Sequence, residues 1–325
     1  MEIKPKQIAW NEIPMDWLVQ PKYDGECNKL IIKNGKASLQ RFEGRNKTLF
    51  YPEIIEYAEK LKLPDMVLVG EVCILMNELV ASFPHIQLRM NTQNKAKQKL
   101  AMKDKLATFM AFDIEEIQKG IFTGGFEKAH GRMRTDRTYE GNLDEVPYGE
   151  RYSLLQFSVQ QTHPKVTWKD GQPSARILPV KNITSSLQQC GADHTWKEFV
   201  KEYDMEGIVV KNPDSPTEQV KLKNWDEDDF KIVGTELTEE GEARGWFISK
   251  LKLEDTKGKH VDKGMQFDCK YINYPQTKQA KKDVIGKTAI IKYMKMRGRD
   301  GQYLAPRHPS LVKIMELKNS EWDEW

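Results

Sequence analysis

The sequence predicts an α+β fold in which antiparallel sheets with helices form a first domain and a small all-β domain follows. Three observations lead to this class. Strand-length apolar runs flank an Asn-Gly pair near residue 34, a helical period occupies residues 52–62, and only short strand-like runs with turns follow residue 229. The 325 residues are enough for two domains that each bury a core.

The first elements are a hairpin and a helix. Asn34-Gly35 separates the apolar residues 30–32 from residues 37–42. Both residues of such a pair tolerate positive φ, so the pattern predicts a β-hairpin, with Lys22 just before its first strand. Pro52 suits the first turn of a helix that continues to Lys62.

The middle of the chain alternates strands, helices and loops. Residues 66–73, 106–114, 207–211 and 220–225 are predicted strands, residues 95–105 and 196–203 are predicted helices, and residues 213–216 are a predicted turn. Glycines and charges from residue 118 to residue 147 indicate a long loop with at most short elements.

An acidic run, Asp226-Glu-Asp-Asp229, marks the expected domain boundary. The first domain is expected to span residues 1–228 and the second residues 229–325. Strand-like runs at residues 230–234, 245–253, 265–271 and 287–294 predict a small barrel or sandwich.

Composition excludes several classes of protein. No apolar run approaches the ~20 residues that a membrane helix needs, and the N-terminus lacks a signal core, so a cytoplasmic, non-secreted protein is expected. The four isolated cysteines suggest neither a zinc site nor a disulfide framework. A net charge of +3 does not by itself indicate nucleic-acid binding, although it permits local basic surfaces.

Two segments offer lysines for phosphate chemistry. Lys22-Tyr23-Asp24-Gly25 contains a lysine that could act as a nucleophile in its neutral form, although such a tetrapeptide alone more often holds a solvated lysine. In the predicted strand at residues 220–225, Lys221 and Lys223 share one face. An anion such as a triphosphate would stabilise these two ammonium groups; the alternative is an exposed polar strand face.

Two further positions carry an acid and an aromatic ring. Glu71 ends an apolar strand, where an acid usually caps or forms an ion pair. In Phe109-Met-Ala-Phe112-Asp113 the rings could stack on a purine, and ordinary core packing is the alternative that we favour for Phe109.

The order of these segments resembles the covalent nucleotidyltransferase superfamily, which comprises ATP-dependent DNA ligases, RNA ligases and mRNA capping enzymes. The matching segments are K-x-D-G, R-x-E-G-R-x-K-T with Tyr51-Pro-Glu, G-E, F-D, E-G-I-V-V-K and K-L-K. The resemblance covers nearly the whole chain and is strongest to the short two-domain ATP-dependent DNA ligases of phages and bacteria. It implies a nucleotidyltransferase (adenylation) domain followed by an OB-fold domain.

The resemblance also implies roles for individual residues. Lys22 matches the lysine that becomes adenylated, and its neighbour Tyr23 is counted with the nucleotide-binding residues. Glu71 matches the acid that binds the ribose, and Phe112 the ring that stacks on adenine, with Met110 as a substitute.

The remaining matches concern phosphates and metal. Arg41 matches the arginine that contacts the nucleotide or the nick phosphate, and Glu206 the acid associated with the catalytic Mg²⁺. Lys221 and Lys223 match the pair at the α-phosphate of ATP.

The chain departs from the family pattern at several positions. Cys27 stands where the family usually has arginine, Val69 precedes Gly70 where the family usually has aspartate, and no arginine lies between residues 211 and 221. Arg297, Arg299 and Lys313 are loose candidates for contacting pyrophosphate.

The implied function is an ATP-dependent DNA ligase, a monomer that seals 5′-phosphate/3′-hydroxyl nicks in double-stranded DNA through lysyl-AMP with Mg²⁺. Residues 95–105 and the segment with Arg132, Arg134 and Arg137 are candidates for DNA phosphate contacts, and equally for solvated surface. An RNA ligase or another covalent nucleotidyltransferase is the nearest alternative. A non-catalytic nucleic-acid-binding protein is a more remote alternative. NAD is a less favoured adenylate donor, because the NAD-dependent members of the family carry a nicotinamide-recognition domain ahead of the lysine.

Overall fold

A computed structural model describes residues 14, 16–90, 99–100, 102–103, 105–121, 138–160, 165–189, 196–239, 246–255, 266–270, 275–276, 284–294 and 306–315. Its chain divides into two compact units, Met1–Asn224 and Trp225–Trp325. Most of the basic segment at residues 95–105 lies outside the described residues, as do the candidate arginines at positions 132, 134, 137, 297 and 299.

The first unit contains eleven described strands and five described helices, besides a short 3₁₀ turn at Thr48–Phe50. The strands are β1 Leu18–Pro21, β2 Glu26–Lys33, β3 Lys36–Gln40, β4 Met66–Cys73, β5 Thr108–Ile121, β6 Thr138–Asn142, β7 Trp168–Lys169, β8 Gln172–Pro173, β9 Ile177–Pro179, β10 Gly207–Lys211 and β11 Gln219–Lys223. The helices are α1 Pro52–Leu61, α2 Phe83–Met90, α3 Tyr148–Gln160, α4 Thr184–Gln189 and α5 Trp196–Glu202.

The larger sheet has the order β3-β2-β4-β5-β6, with β9 parallel to β5 and the other pairs antiparallel. The predicted hairpin is confirmed, because β2 pairs with β3 and both turn residues have positive φ, 51° at Asn34 and 72° at Gly35. The predicted strand at residues 66–73 and the helix beginning at Pro52 are also confirmed.

Strand β5 is longer than the sequence predicts. It continues to Ile121 and pairs with β6, so residues 118–121 of the predicted loop belong to a strand and residues 138–142 form a short one, while residues 122–137 lie outside the described residues. Pairing with β6 overrides the local effect of Gly120, which lies opposite the buried Tyr139.

The smaller sheet, β1-β10-β11, presents two different faces. Val19, Val210 and Val220 pack on one face against Trp196 and Phe199 of helix α5, which confirms the predicted helix near residue 196. Side chains alternate along a strand, so the opposite face carries the intervening residues of β10 and β11. That face carries Lys211, Lys221 and Lys223.

The second unit is all-β. Its strands are β12 Asp226–Glu239, β13 Trp246–Glu254, β14 Gln266–Lys270, β15 Pro275–Gln276, β16 Thr288–Met294 and β17 Arg307–Met315. Five of them close a circuit, β12-β16-β17-β14-β13-β12, with β14–β17 as the parallel pair. A closed five-stranded sheet around Phe230, Ile232 and Leu251 agrees with the expected OB-fold barrel.

The acidic run at residues 226–229 lies inside this barrel's first strand, where it pairs with β16. The first compact unit therefore ends at Asn224, slightly before the boundary that the sequence suggests. None of the helices in the described part of the chain is long and apolar enough to cross a membrane.

Candidate active site

Lys22 lies directly after β1 and is fixed at both its backbone and its side chain. Its amide N–H donates to the Gly207 carbonyl at 3.0 Å. Its ammonium donates to Glu206 Oε2 at 2.6 Å, with side chains that are 21% and 7% exposed respectively. The K-x-D-G and E-G-I-V-V-K segments therefore meet because β1 pairs with β10.

Two glycines allow this close approach. A Cβ on Gly25 would lie 2.3 Å from the Val72 carbonyl oxygen, and one on Gly207 would lie 2.1 Å from the Leu222 carbonyl oxygen. No other residue fits these positions without moving the backbone. The glycines of both segments thus bring the lysine loop onto β4 and the acid of residue 206 onto β11.

Carboxylates surround the Lys22 ammonium. Burial raises the pKa of Glu71 to about 8, because desolvation and the charges of Glu206 and Asp24 outweigh attraction by Lys22. Burial also raises the pKa of Glu206, against attraction by Lys22 and Lys223. Because these carboxylates outnumber the single lysine, additional positive charge beside them would stabilise the site.

That positive charge comes from β11. Lys221 pairs with Val209 and Lys223 with Gly207, whereas Leu222 packs against the core on the other face, which confirms the predicted shared face of the two lysines. Lys223 interacts electrostatically with Glu206, and Lys221 with the Cys27 thiol. The lysine face of β11 therefore lies within electrostatic range of Glu206 and Cys27, with which Lys22 also interacts.

Cys27 interacts electrostatically with the charged groups of this site. Desolvation of the thiol and the charge of Glu71 raise the pKa of Cys27 to about 12, although the residue as a whole is exposed. Lys221, Lys22 and Lys211 oppose that shift. The thiol is therefore protonated near neutral pH.

The predicted ring residues form an apolar wall. Tyr23 is buried, and its hydroxyl donates to the Glu78 carbonyl at 2.6 Å. Tyr23 and Met110 belong to one cluster, against which the partly buried Phe112 packs. Phe109 is fully buried in the main core, as expected.

Lys211 joins this site, although it is not among the residues that the sequence predicts for it. It is buried, its ammonium donates to the Phe112 carbonyl at 3.3 Å, and it lies 3.8 Å from the Tyr148 ring centroid. Burial lowers the pKa of Lys211 to about 8, against the attraction of Asp113. The two-residue period of β10 was the available signal, since Lys211 and Val209 share a face.

Arg41 is held elsewhere. Its guanidinium pairs with Glu26, which also binds Lys47 and Tyr51. Among the described contacts, none joins Arg41 to Lys22. The structure thus brings together Lys22, Glu71, Glu206 and the two β11 lysines, and places Arg41 in a neighbouring charge cluster.

Glu71 and Glu206 are the carboxylates of this site that would hold a magnesium ion if one bound. Within the described ranges, no group of three or more His, Cys, Asp or Glu residues is arranged to hold a metal. Mg²⁺ commonly takes one or two carboxylates and completes its coordination with phosphates and water. The repulsion between Glu71 and Glu206 would fall if a divalent cation bound beside them.

Known DNA ligases are similar to this chain in sequence. The family model described as ATP dependent DNA ligase domain matches residues 3–226. Bifunctional non-homologous end joining protein LigD of Bacillus subtilis is 29% identical over 230 residues, which cover 69% of this chain and 33% of that protein. DNA ligase C2 of Mycolicibacterium smegmatis is 22% identical over 261 residues, 78% of this chain and 62% of that protein. The chain therefore spans a third to somewhat under two thirds of these relatives.

Solved structures resemble the fold. One, reported under the heading of DNA binding with a minimal scaffold in Lig E DNA ligases, has a TM-score of 0.57 at 15% identity and covers 96% of this chain and 98% of that one. Another, Pmar-Lig_PreS3, has a TM-score of 0.58 at 16% identity and covers 92% of this chain and 63% of that one. At these identities, the likeness concerns the fold alone.

Proposed function

Since the chain belongs to the ATP-dependent DNA ligase family, we propose that it seals nicks in double-stranded DNA through an adenylate carried on Lys22. The observation that carries this proposal is the convergence of Lys22, Glu206 and the lysine face of β11, which come from three separate segments. A nucleophile beside cations is the arrangement that phosphoryl transfer requires.

The first step joins Lys22 to AMP. The neutral Lys22 amine attacks the α-phosphorus of ATP, a P–N bond forms, and the P–O bond to pyrophosphate breaks. Glu206, at 2.6 Å from Nζ, is within reach of the proton that the ammonium must lose, and its raised pKa suits an acceptor.

Two further transfers complete the reaction. The 5′-phosphate of the nicked strand attacks the phosphorus of AMP and releases Lys22. The 3′-hydroxyl then attacks that 5′-phosphate, which closes the strand and releases AMP. The second step, which breaks the P–N bond, returns Lys22 to the amine that began the cycle.

The β11 lysines and a metal would carry the charge. Lys221 and Lys223 lie where they can stabilise negative charge on the non-bridging oxygens of an α-phosphate. Glu206 and Glu71 are the residues suited to Mg²⁺, which supplies Lewis-acid stabilisation of phosphate charge when bound.

The apolar wall would hold the nucleoside. Phe112 provides a ring for adenine, next to Tyr23 and Met110, and Glu71 provides an acceptor for ribose hydroxyls. The Lys211 ammonium holds Phe112 in place by donating a hydrogen bond to the Phe112 carbonyl. As part of the same proposal, the protein acts as a monomer in the cytoplasm.

A gel assay with a nicked duplex tests this proposal. A 5′-phosphorylated nick incubated with ATP and Mg²⁺ should be converted into the sealed strand, whereas NAD⁺ as the donor should give no product. Parallel reactions with single-stranded RNA separate DNA from RNA ligation. Absence of sealing with ATP, or stronger sealing of RNA, would contradict the proposal.

A further inference from the structure

A buried carboxylate lies four residues after Lys22, outside the chemistry proposed above. Glu26 begins β2, and its side chain is 2% exposed. Its Oε1 accepts from Arg41 Nε at 2.5 Å and contacts Lys47 Nζ at 2.8 Å, and its Oε2 accepts from the Tyr51 hydroxyl at 2.7 Å. Both oxygens are therefore engaged.

The two cations bound to Glu26 differ in their access to solvent. The Lys47 side chain is 2% exposed, donates to the Met90 carbonyl at 3.2 Å and lies over the Phe50 ring. The Arg41 side chain is 25% exposed. One anion between two cations leaves net positive charge, and this charge reaches the surface at Arg41.

The position of Arg41 relates it to the lysine loop. In the β2–β3 hairpin Gln40 pairs with Lys29, so Arg41 continues the strand towards Glu26, the residue at which β2 begins. Only residues 23–25 separate Glu26 from Lys22. Arg41 is therefore held at the end of the hairpin from which the Lys22 loop leaves.

We propose that Glu26 is a positioning residue for the DNA steps, because its buried carboxylate fixes the Arg41 guanidinium to receive the 5′-phosphate of the nicked strand. This inference rests on the proposed function. A guanidinium that is already oriented binds a phosphate with little further loss of side-chain freedom. Cys27 supplies no cation where the family usually has arginine, so the phosphate depends more heavily on Arg41.

The inference separates DNA binding from adenylation. Glu206 interacts with Lys22, Asp24 and Lys223, and no described interaction with this group involves Glu26. Substituting Glu26 should therefore spare the reaction with ATP. A defect of general folding would instead lower adenylation and sealing together.

The test uses the full chain with Glu26→Gln, which keeps the shape of the side chain and removes its charge. Formation of enzyme–AMP from labelled ATP should stay within about twofold of wild type. The KM for nicked duplex, measured at saturating ATP and Mg²⁺, should rise by about tenfold or more, as expected for a lost charged hydrogen bond. The kcat at saturating DNA should change less than the KM.

Four variants serve as controls. Lys47→Met removes the buried cation, and with it the net positive charge of the group, while leaving Arg41 on Glu26, so the KM for nicked DNA should rise less than in Glu26→Gln. Glu26→Asp retains the charge but shortens the side chain, so its KM should fall between those of wild type and Glu26→Gln, even if the glutamine variant is unstable. The double variant Glu26→Gln/Arg41→Ala should be no worse than Arg41→Ala alone.

The outcomes are distinct. An unchanged KM in Glu26→Gln, a parallel loss of adenylation, or additive effects with Arg41→Ala would overturn the positioning role while wild type still seals nicks. A wild-type protein that forms no enzyme–AMP and seals no nick removes the proposed function, and this inference with it.

Discussion

The Lys22 ammonium and the Glu206 carboxylate form an ion pair at 2.6 Å although 184 residues separate them in the sequence. Both groups are mostly buried, and β1–β10 pairing fixes their backbones. An ion pair of this kind orients the amine, and its carboxylate remains available to a proton or a metal. The pair therefore links the segment that contains Lys22 to the segment that contains the Glu206 carboxylate.

Substituting Glu206 by Gln should slow formation of enzyme–AMP by at least about tenfold, because the neutral amide neither balances Lys22 nor ligates Mg²⁺ strongly. Incorporation of label from ATP measures this rate. Glu218→Gln is the matched control: Glu218 is exposed and bonds Asn212 in the turn between β10 and β11. Equal rates for the Glu206 variant and wild type would remove Glu206 from the reaction.

The pH dependence of stability should reflect Glu71. Its folded-state pKa of about 8 lies above the ordinary 4.5, so the folded protein holds an extra proton between these values. Stability from this group is present at acidic pH and is lost as pH rises towards 8. Glu71→Gln should match wild type near pH 4.5 and exceed it by about 1–2 kcal/mol at pH 9, allowing for partial solvent access.

Urea unfolding at the two pH values measures this difference. The sign of the stability difference at pH 9 is informative, because a Glu71 carboxylate stabilised by an ion pair would make wild type, not Glu71→Gln, the more stable protein at high pH. A constant difference between Glu71→Gln and wild type across the range would show that burial does not raise the pKa of Glu71.

Cys27 should react slowly with alkylating reagents despite its exposure. Its pKa of about 12 leaves little thiolate near neutrality, whereas an ordinary thiol has a pKa of about 8.5. At pH 8, the rate with iodoacetamide should be at least about tenfold below that of free cysteine and should rise with pH. Peptide mass spectrometry assigns the label, and Cys27→Ser identifies its site. A rate equal to free cysteine would contradict the raised pKa.

Gly207→Ala should destabilise the first unit. The added Cβ would lie 2.1 Å from the Leu222 carbonyl oxygen, so β10 and β11 must separate and move the carbonyl that accepts from Lys22. We expect a loss of about 2–3 kcal/mol in thermal or urea unfolding, together with reduced adenylation. Gly234→Ala, whose Cβ would meet its neighbours at 3.4 Å, is the control and should be close to neutral. Equal stabilities of the two variants would contradict this reading of Gly207.

Much of the fold follows from local patterns. The Asn34-Gly35 turn, the proline at the start of α1 and the shared face of Lys221 and Lys223 each depend on residues close together in the chain. Propensity and periodicity act over that range, and these predictions are confirmed. The all-β second unit is confirmed for the same reason.

Features that depend on contacts between distant residues could not be predicted from the sequence. Strand β5 extends because β6 pairs with it, and β17 was not separated from its surroundings because alternation along it is interrupted at Val312 and Lys313. Glu26 was not selected, since nothing near it in the chain shows that Lys47 and Tyr51 converge on its carboxylate. The assignment of Arg41 to phosphate contact stays a prediction.

The central claim is that Lys22 accepts AMP from ATP. Incubating the full chain with α-labelled ATP and Mg²⁺, followed by denaturing electrophoresis and peptide mapping, should give one adduct on the peptide containing Lys22. Lys22→Ala and Lys22→Arg should give none, while Lys47→Met should label as wild type does. An adduct that persists in Lys22→Ala, or that maps to another lysine, would contradict the account.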